Sequence, residues 1–228
     1  MFSSQKTLTS FFKTTSSQTQ TQSNKSQKQT KNLDDIVPGL SLTTNFISEA
    51  EEKHLWQEIN KLPFKDDIKR RYQVHGYKYD AETKTKLEHA GDMPSCLLFL
   101  MDRVKEEGIM PEKHEQCVIN EYEPGVGIHP HIDSTLFGDQ VINISLGADI
   151  VMDFYSPGDE QKKSVLLPRR SLLLVEGKAR FGWKHGIAYR KSDKLENGMV
   201  LKRNKRISIT FRLANKDAVK KYINDNPL

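Results

Sequence analysis

The sequence contains only two cysteines, Cys96 and Cys117, in 228 residues. That scarcity excludes a disulfide framework and a Cys-rich zinc site, and it predicts a reducing compartment. Long apolar runs are missing too. The longest, Cys96 to Met101, spans six residues, far short of the roughly 20 a membrane helix requires, so no membrane association is expected. Acidic residues are absent from the first 33 positions, which hold five lysines (Lys6, Lys13, Lys25, Lys28 and Lys31). This imbalance accounts for the whole net charge of +5, because the remaining 30 basic side chains face 30 acidic ones. The later part of the chain is neutral, and any polyanion must be met by local patches.

Composition divides the chain near residue 34. Of the first 33 residues, 20 are Ser, Thr or Gln; such a stretch cannot bury enough surface to offset its conformational entropy, and residues 1–33 read as a disordered tail. A folded domain is expected over 34–215, with a short tail at 216–228. Ser48 and Glu51 have capping-box spacing, followed by Leu55, Trp56, Ile59 and Leu62 at helical intervals. A second helix is predicted from Pro94 to Gly108, with Leu97, Leu98, Met101 and Val104 on one face. Period-two runs then follow at 116–122, 140–147, 149–155, 171–176 and 205–213, most of them separated by turn residues such as Glu123-Pro124-Gly125. The pattern predicts a mainly β, α+β fold, a double-sheet antiparallel barrel with helices on one side.

His131-Ile132-Asp133 sets an imidazole and a carboxylate two residues apart, on one side of an extended chain. A third ligand from a distant strand would complete a two-His, one-carboxylate facial triad, and His185 in Trp183-Lys184-His185-Gly186-Ile187 is the candidate. The triplet alone is a weak signal, and His129 shares the face of His131. Further polar residues converge on the same region. In Arg206–Leu213 the apolar Ile207, Ile209, Phe211 and Leu213 alternate with Arg206, Ser208, Thr210 and Arg212. Periodicity leaves two readings of that polar face, an outer surface in water or an inner one where each arginine must meet an anion. Asn120 and Tyr122 share one face of a further strand.

Together, Asn120 to Gly125, His131-Ile132-Asp133, His185-Gly186-Ile187 and Arg206 to Arg212 resemble the AlkB family of Fe(II)/2-oxoglutarate dioxygenases, over roughly Asp34 to Leu213. The resemblance implies a double-stranded β-helix (jelly-roll) core. It implies Fe(II) held by His131, Asp133 and His185, with O2 and the cosubstrate 2-oxoglutarate. Arg206, helped by Tyr122, would clasp the distal carboxylate of 2-oxoglutarate, and Asn120 and Arg212 would lie near its other end. The implied reaction oxidises a carbon on a nucleic acid: dealkylation of a DNA base, alternatively modification of RNA or tRNA. Within the family, the sequence around Leu167-Pro168-Arg169-Arg170-Ser171 and Trp183-Lys184-His185 is most similar to the dioxygenase domain of a tRNA wobble-uridine hydroxylase. A catalytically inactive adaptor is a further reading, against which the intact triad and both arginines speak.

Substrate choice is read from Lys69 to Tyr79, which mixes cations with aromatics where family members carry a nucleotide-recognition lid. Tyr77 and Tyr79 are candidates to stack on an extruded base; the alternative is a half-buried strand with tyrosines inward. Some relatives that repair DNA place an acid two residues after the metal-binding Asp, and here that position is Thr135.

The tail holds one apolar cluster. Gln5, Leu8, Phe11 and Phe12 have the spacing of the PIP box by which proteins bind the sliding clamp PCNA, a short helical plug with a polar anchor. A mitochondrial transit peptide is the rival reading, weakened by the lack of arginine. A monomer in the nucleus is expected, with cytoplasm or mitochondrion as alternatives.

Overall fold

Ser48 and Glu51 close the reciprocal capping box that their spacing predicts. Each side chain accepts a hydrogen bond from the other's backbone N–H, and helix α1 (Glu49–Lys61) starts there. The computed structural model describes residues 27–79, 87–112, 115–158 and 161–215, with 217 and 220. Around α1 the described elements run β1 (Gln29–Asn32), β2 (Leu40–Thr44), β3 (Tyr72–Tyr79), β4 (Leu87–His89), α2 (Leu98–Glu106, entered through a 3-10 turn at Ser95–Leu97) and β5 (Gln116–Tyr122). They continue with β6 (Ile128–His131), β7 (Phe137–Leu146), β8 (Ile150–Tyr155), β9 (Lys162–Leu167), β10 (Leu172–Val175), α3 (Gly177–Phe181), β11 (Lys184–Ile187), β12 (Ser192–Lys194), β13 (Val200–Lys202) and β14 (Arg206–Ala214). Among the described residues no helix is long and apolar enough to cross a membrane.

Two antiparallel sheets face each other as a jelly roll. The larger has the order β1-β2-β10-β7-β14-β5-β3-β4 and the smaller β6-β11-β8-β9. Tyr122, Val141, Met152, Phe154, Leu173, Val175 and Ile187 fill the space between them. The other face of the large sheet is covered by α1 and α2, whose Leu55, Ile59, Leu100, Met101 and Val104 pack on Cys117, Ile119, Ile142, Ile144, Ile207, Ile209 and Phe211. At roughly 1.5–3 kcal/mol for each large apolar side chain removed from water, this layer is a main contribution to stability.

β14 shows why the alternation is strict. It lies between β7 and β5, with its odd residues against the helices and its even residues between the sheets. Arg206, Ser208 and Thr210 are therefore buried rather than in water.

Three expectations are corrected. The folded region begins before residue 34, because Gln29–Asn32 forms edge strand β1 on β2. A polar stretch can pair through its backbone and through contacts such as the 2.9 Å bond between the Thr30 and Thr43 hydroxyls. Leu98 is exposed, and Leu100 takes its place on the buried face of α2. Strands β2, β3, β4, β6, β9 and β11 to β13 add to the five predicted runs. The PIP-like residues Gln5, Leu8, Phe11 and Phe12 lie outside the described residues.

Candidate metal centre and its cavity

His131 ends β6 and His185 sits in β11, and these two residues are direct cross-strand partners. The strands approach closely because of two glycines. A Cβ on Gly127 would lie 2.2 Å from the Ile187 carbonyl oxygen, and one on Gly186 would lie 2.9 Å from that of Ile128. The two imidazole centroids are 4.6 Å apart.

Asp133 follows two residues after His131, and its carboxylate lies 3.8 Å from His131 Nε2 and 3.9 Å from His185 Nε2. One ligand atom from each of the three lies within 4.8 Å of the others. The sequence-predicted trio is thus brought together. His129 is not part of it: its ring turns to Tyr189, with centroids 5.0 Å apart, and only its carbonyl enters the site, accepting from His131 Nδ1 at 2.9 Å. Because a carbonyl can only accept, the proton sits on Nδ1 and the Nε2 lone pair is left for a metal.

The loop after Asp133 is fixed by a residue that sequence reasoning did not single out. Arg180, fully buried on α3, donates to the carbonyls of Asp133 (2.8 Å), Ser134 (2.7 Å), Phe137 (3.2 Å) and Gly138 (3.2 Å). Arg212 reaches from β14 to pair with the Asp133 carboxylate, and its Nη1 donates to Gln116 Oε1 at 2.9 Å. Burial by itself would raise the Asp133 pKa. Arg212, then His185, His131 and Arg180, outweigh it and hold the carboxyl at about 2. Burial lowers the His185 pKa to about 4, so its imidazole is neutral at physiological pH, as metal ligation requires.

An inner cavity lies beside the triad, and behind its Tyr122 and Asn143 the buried Arg206 has no counter-ion among the described residues. Its Nε and Nη2 donate to Ser145 Oγ at 3.3 and 2.9 Å, Nη2 also to Asn143 Oδ1 at 2.9 Å, and the Tyr122 ring lies 5.5 Å from the guanidinium carbon. All these partners are neutral, and the buried Nη1 has no acceptor. Burial lowers its pKa to about 10. A buried cation with an idle Nη1 group calls for an anion. A carboxylate is the matching shape for a guanidinium fork, so the chemistry of these residues suits one end of a small dicarboxylate at Arg206. Asn120 and Tyr122, predicted from their shared face of β5, line this cavity together with Thr210 and Arg212.

An outer cavity of about 590 Å³ opens over His131 and Asp133, within the size range of small-molecule sites. Its walls include Ile68, Arg70, Tyr72, Val74 and Lys78, opposite His131 and Ile132. The aromatic on this wall is Tyr72, not Tyr77. On β3 the even residues oppose the inward residues of β5, Tyr72 facing Asn120 and Val74 facing Val118. Tyr77 has the opposite parity, and it packs on Phe137 and Ala214, with its ring edge-on to His89. The side chain of Tyr79 lies outside the described residues. Ile68 and Ile132, 46% and 39% exposed, are apolar groups left open at the mouth; nothing in their local sequence signalled that role.

The profile of the 2OG-Fe(II) oxygenase superfamily matches residues 2–212. An uncharacterized protein of Acanthamoeba polyphaga mimivirus is 35% identical over 196 residues, covering 85% of this chain and 91% of that one. The tRNA (carboxymethyluridine(34)-5-O)-methyltransferase ALKBH8 of Mus musculus is 35% identical over 214 residues, 82% of this chain and 32% of the mouse protein. The chain thus spans about a third of that relative's length. Among solved structures, OsALKBH1 shares the fold at a TM-score of 0.59 and 17% identity, over 77% of this chain and 97% of that one.

Proposed function

Because the chain belongs to the 2OG-Fe(II) oxygenase superfamily, and within it to the AlkB family, we propose that it is a 2-oxoglutarate-dependent dioxygenase that dealkylates DNA bases. The observation that carries this reading is a His-Asp-His cluster in a cavity whose Tyr122 and Asn143 also touch a buried arginine, Arg206, that lacks an anion among the described residues. His131, Asp133 and His185 hold Fe(II). When bound, the iron supplies O2 activation and C–H hydroxylation, with 2-oxoglutarate oxidised to succinate and CO2.

The chain's own groups do the positioning. Arg206 and Tyr122 receive the distal carboxylate of 2-oxoglutarate, and Asn120 and Arg212 orient the end nearer the triad. Arg212 also keeps the Asp133 carboxylate ionised, while Arg180 fixes the backbone that carries it. Ile68, Tyr72 and Ile132 enclose an extruded base above the triad and keep bulk water from it. Hydroxylation of an N-methyl carbon leaves a carbinolamine, which releases formaldehyde and the repaired base.

The PIP-like residues Gln5, Leu8, Phe11 and Phe12 support recruitment to the sliding clamp and hence action in the nucleus. Saturable binding of a peptide of residues 1–20 to PCNA, lost on Phe11→Ala with Phe12→Ala, is the expected result. A second reading, oxidation of a tRNA base, is favoured by the 35% identity to the mouse tRNA enzyme. Incubation with Fe(II), 2-oxoglutarate and a panel of methylated DNA, methylated RNA and modified tRNA separates the two. Formaldehyde released from DNA supports the first, and a stable hydroxylated tRNA product supports the second. Turnover that survives His131→Ala with Asp133→Ala overturns the site.

A further inference from the structure

The charges lining the outer cavity do not cancel, and the surplus is positive. Its ionisable lining comprises Lys65, Arg70, Lys78 and Arg212 with Glu88 and Asp133, beside His131. Both acids are engaged, Glu88 by Lys78 at 2.8 Å and Asp133 by Arg212. Lys65 lies over the Tyr72 ring, 5.9 Å from its centroid.

Arg70 differs from the other cations. It is anchored by one bond, Nε to Asn120 Oδ1 at 2.9 Å, and its guanidinium carbon is 5.9 Å from the Tyr122 centroid. Both contacts are neutral groups of the inner cavity. Among the described residues no carboxylate pairs with Arg70, and neither of its Nη groups has an acceptor. Held at Nε, the guanidinium presents two donors in a fixed fork beside Asn120, where inner and outer cavities meet.

Resting on the functional reading above, we propose that Arg70 selects the target base. The base accepted is uncharged and offers carbonyl oxygens, as N-methylated thymine, uracil or guanine do. N1-methyladenine and N3-methylcytosine are rejected. Both are cationic at neutral pH, and their exocyclic nitrogens cannot satisfy the two donors. A site for such cations needs a free carboxylate near the base, and the two acids of this lining are already paired, while position 135 is a threonine. Leaving a polar fork unmatched and opposing like charges both act against the wrong base. The chemistry is the same whether the base comes from DNA or from RNA.

The test uses the full chain loaded with Mn(II) and the unreactive cosubstrate analogue N-oxalylglycine. Fluorescence anisotropy measures its affinity for DNA and RNA oligonucleotides, each carrying one of the five methylated bases, and the two polymer arms identify the source. Within the polymer that binds, the neutral bases are expected to bind about tenfold tighter or more than the cationic ones. Arg70→Gln reduces that ratio to about threefold or less, and Arg70→Glu inverts it. Equal affinity in the unaltered protein overturns the proposal. So does a ratio that Arg70→Gln leaves unmoved while the affinity for N-oxalylglycine falls, since Arg70 would then serve the cosubstrate alone. Turnover of the same oligonucleotides with Fe(II) and 2-oxoglutarate separates this from the functional reading. Selective binding without turnover removes dealkylation and keeps base selection, whereas no binding beyond unmodified controls removes both.

Discussion

Glu52 and Arg206 are buried to nearly the same depth, 3% and 0% exposed, in two regions that treat a charge in opposite ways. Glu52, on α1, is surrounded by matched partners. It accepts from Arg169 Nε at 3.1 and 3.2 Å, pairs with Arg169 Nη2 and with Arg170 Nη1 at 3.5 Å, and accepts the Gly147 backbone N–H at 2.8 Å. Those contacts tie the first helix to the end of β7 and to the turn between β9 and β10. Arg206 has a hydroxyl, an amide and a phenol ring, and an Nη1 group with no partner among the described residues. A charge whose partners are all in place holds the fold together. One left unmatched in the interior reduces stability until a ligand completes it.

Breaking the matched charge has the largest expected effect. Glu52→Ala removes the shared acceptor of the exposed Arg169 and the half-buried Arg170 and is expected to cost about 3 kcal/mol, lowering the melting temperature by on the order of 10 °C. Turnover per folded molecule in the cold is retained. Arg206→Met is expected to do the reverse. Cosubstrate affinity, read from a 2-oxoglutarate titration of turnover, falls about a hundredfold or more, while the ligand-free protein melts at the same temperature or higher. A lower melting point with unchanged affinity would erase the contrast between the two sites.

The pH dependence of the metal-free protein sharpens it further. The His185 pKa falls from 6.5 to about 4 on folding, so the unfolded chain takes up its proton first. Stability contributed by the neutral imidazole is complete above pH 6.5 and declines as the pH falls toward 4, by about 3 kcal/mol. The depressed Asp133 carboxyl contributes fully above 3.8 and loses its share only as the pH approaches 2, below that window. Melts between pH 7 and 4 should therefore slope in the native protein and slope less steeply in His185→Gln, where the half-buried His75, also lowered by burial, still contributes. The smallest effect belongs to Ser48→Ala at the cap of α1. It removes about 1 kcal/mol, or about 2–4 °C, and leaves 2-oxoglutarate affinity untouched.

What was legible in the sequence follows from which forces are local. The capping box needs only residues 48–51, and the alternation of β14 is enforced by two different buried environments, so both could be read from spacing. The triad was legible because His131 and Asp133 lie two apart and His185 had few competitors. Residues whose role depends on a distant partner were not. Arg180 acts on carbonyls more than forty positions away, and Ile68 and Ile132 matter only because tertiary packing leaves them at one mouth. Tyr72 and Tyr77 differ by parity alone, and that parity is set by the pairing of β3 with β5. The strand at 29–32 was hidden by composition, since an edge strand is held by backbone bonds that any side chain permits.

The four carbonyls gathered by Arg180 have a mechanical consequence. Arg180 stands five positions before His185 on the same short stretch, and its guanidinium grips the backbone of Asp133. Two of the three ligands therefore ride on one lever. The carboxylate and the imidazole are thus tied to the one stretch 180–185, the first through a guanidinium and the second through its own backbone.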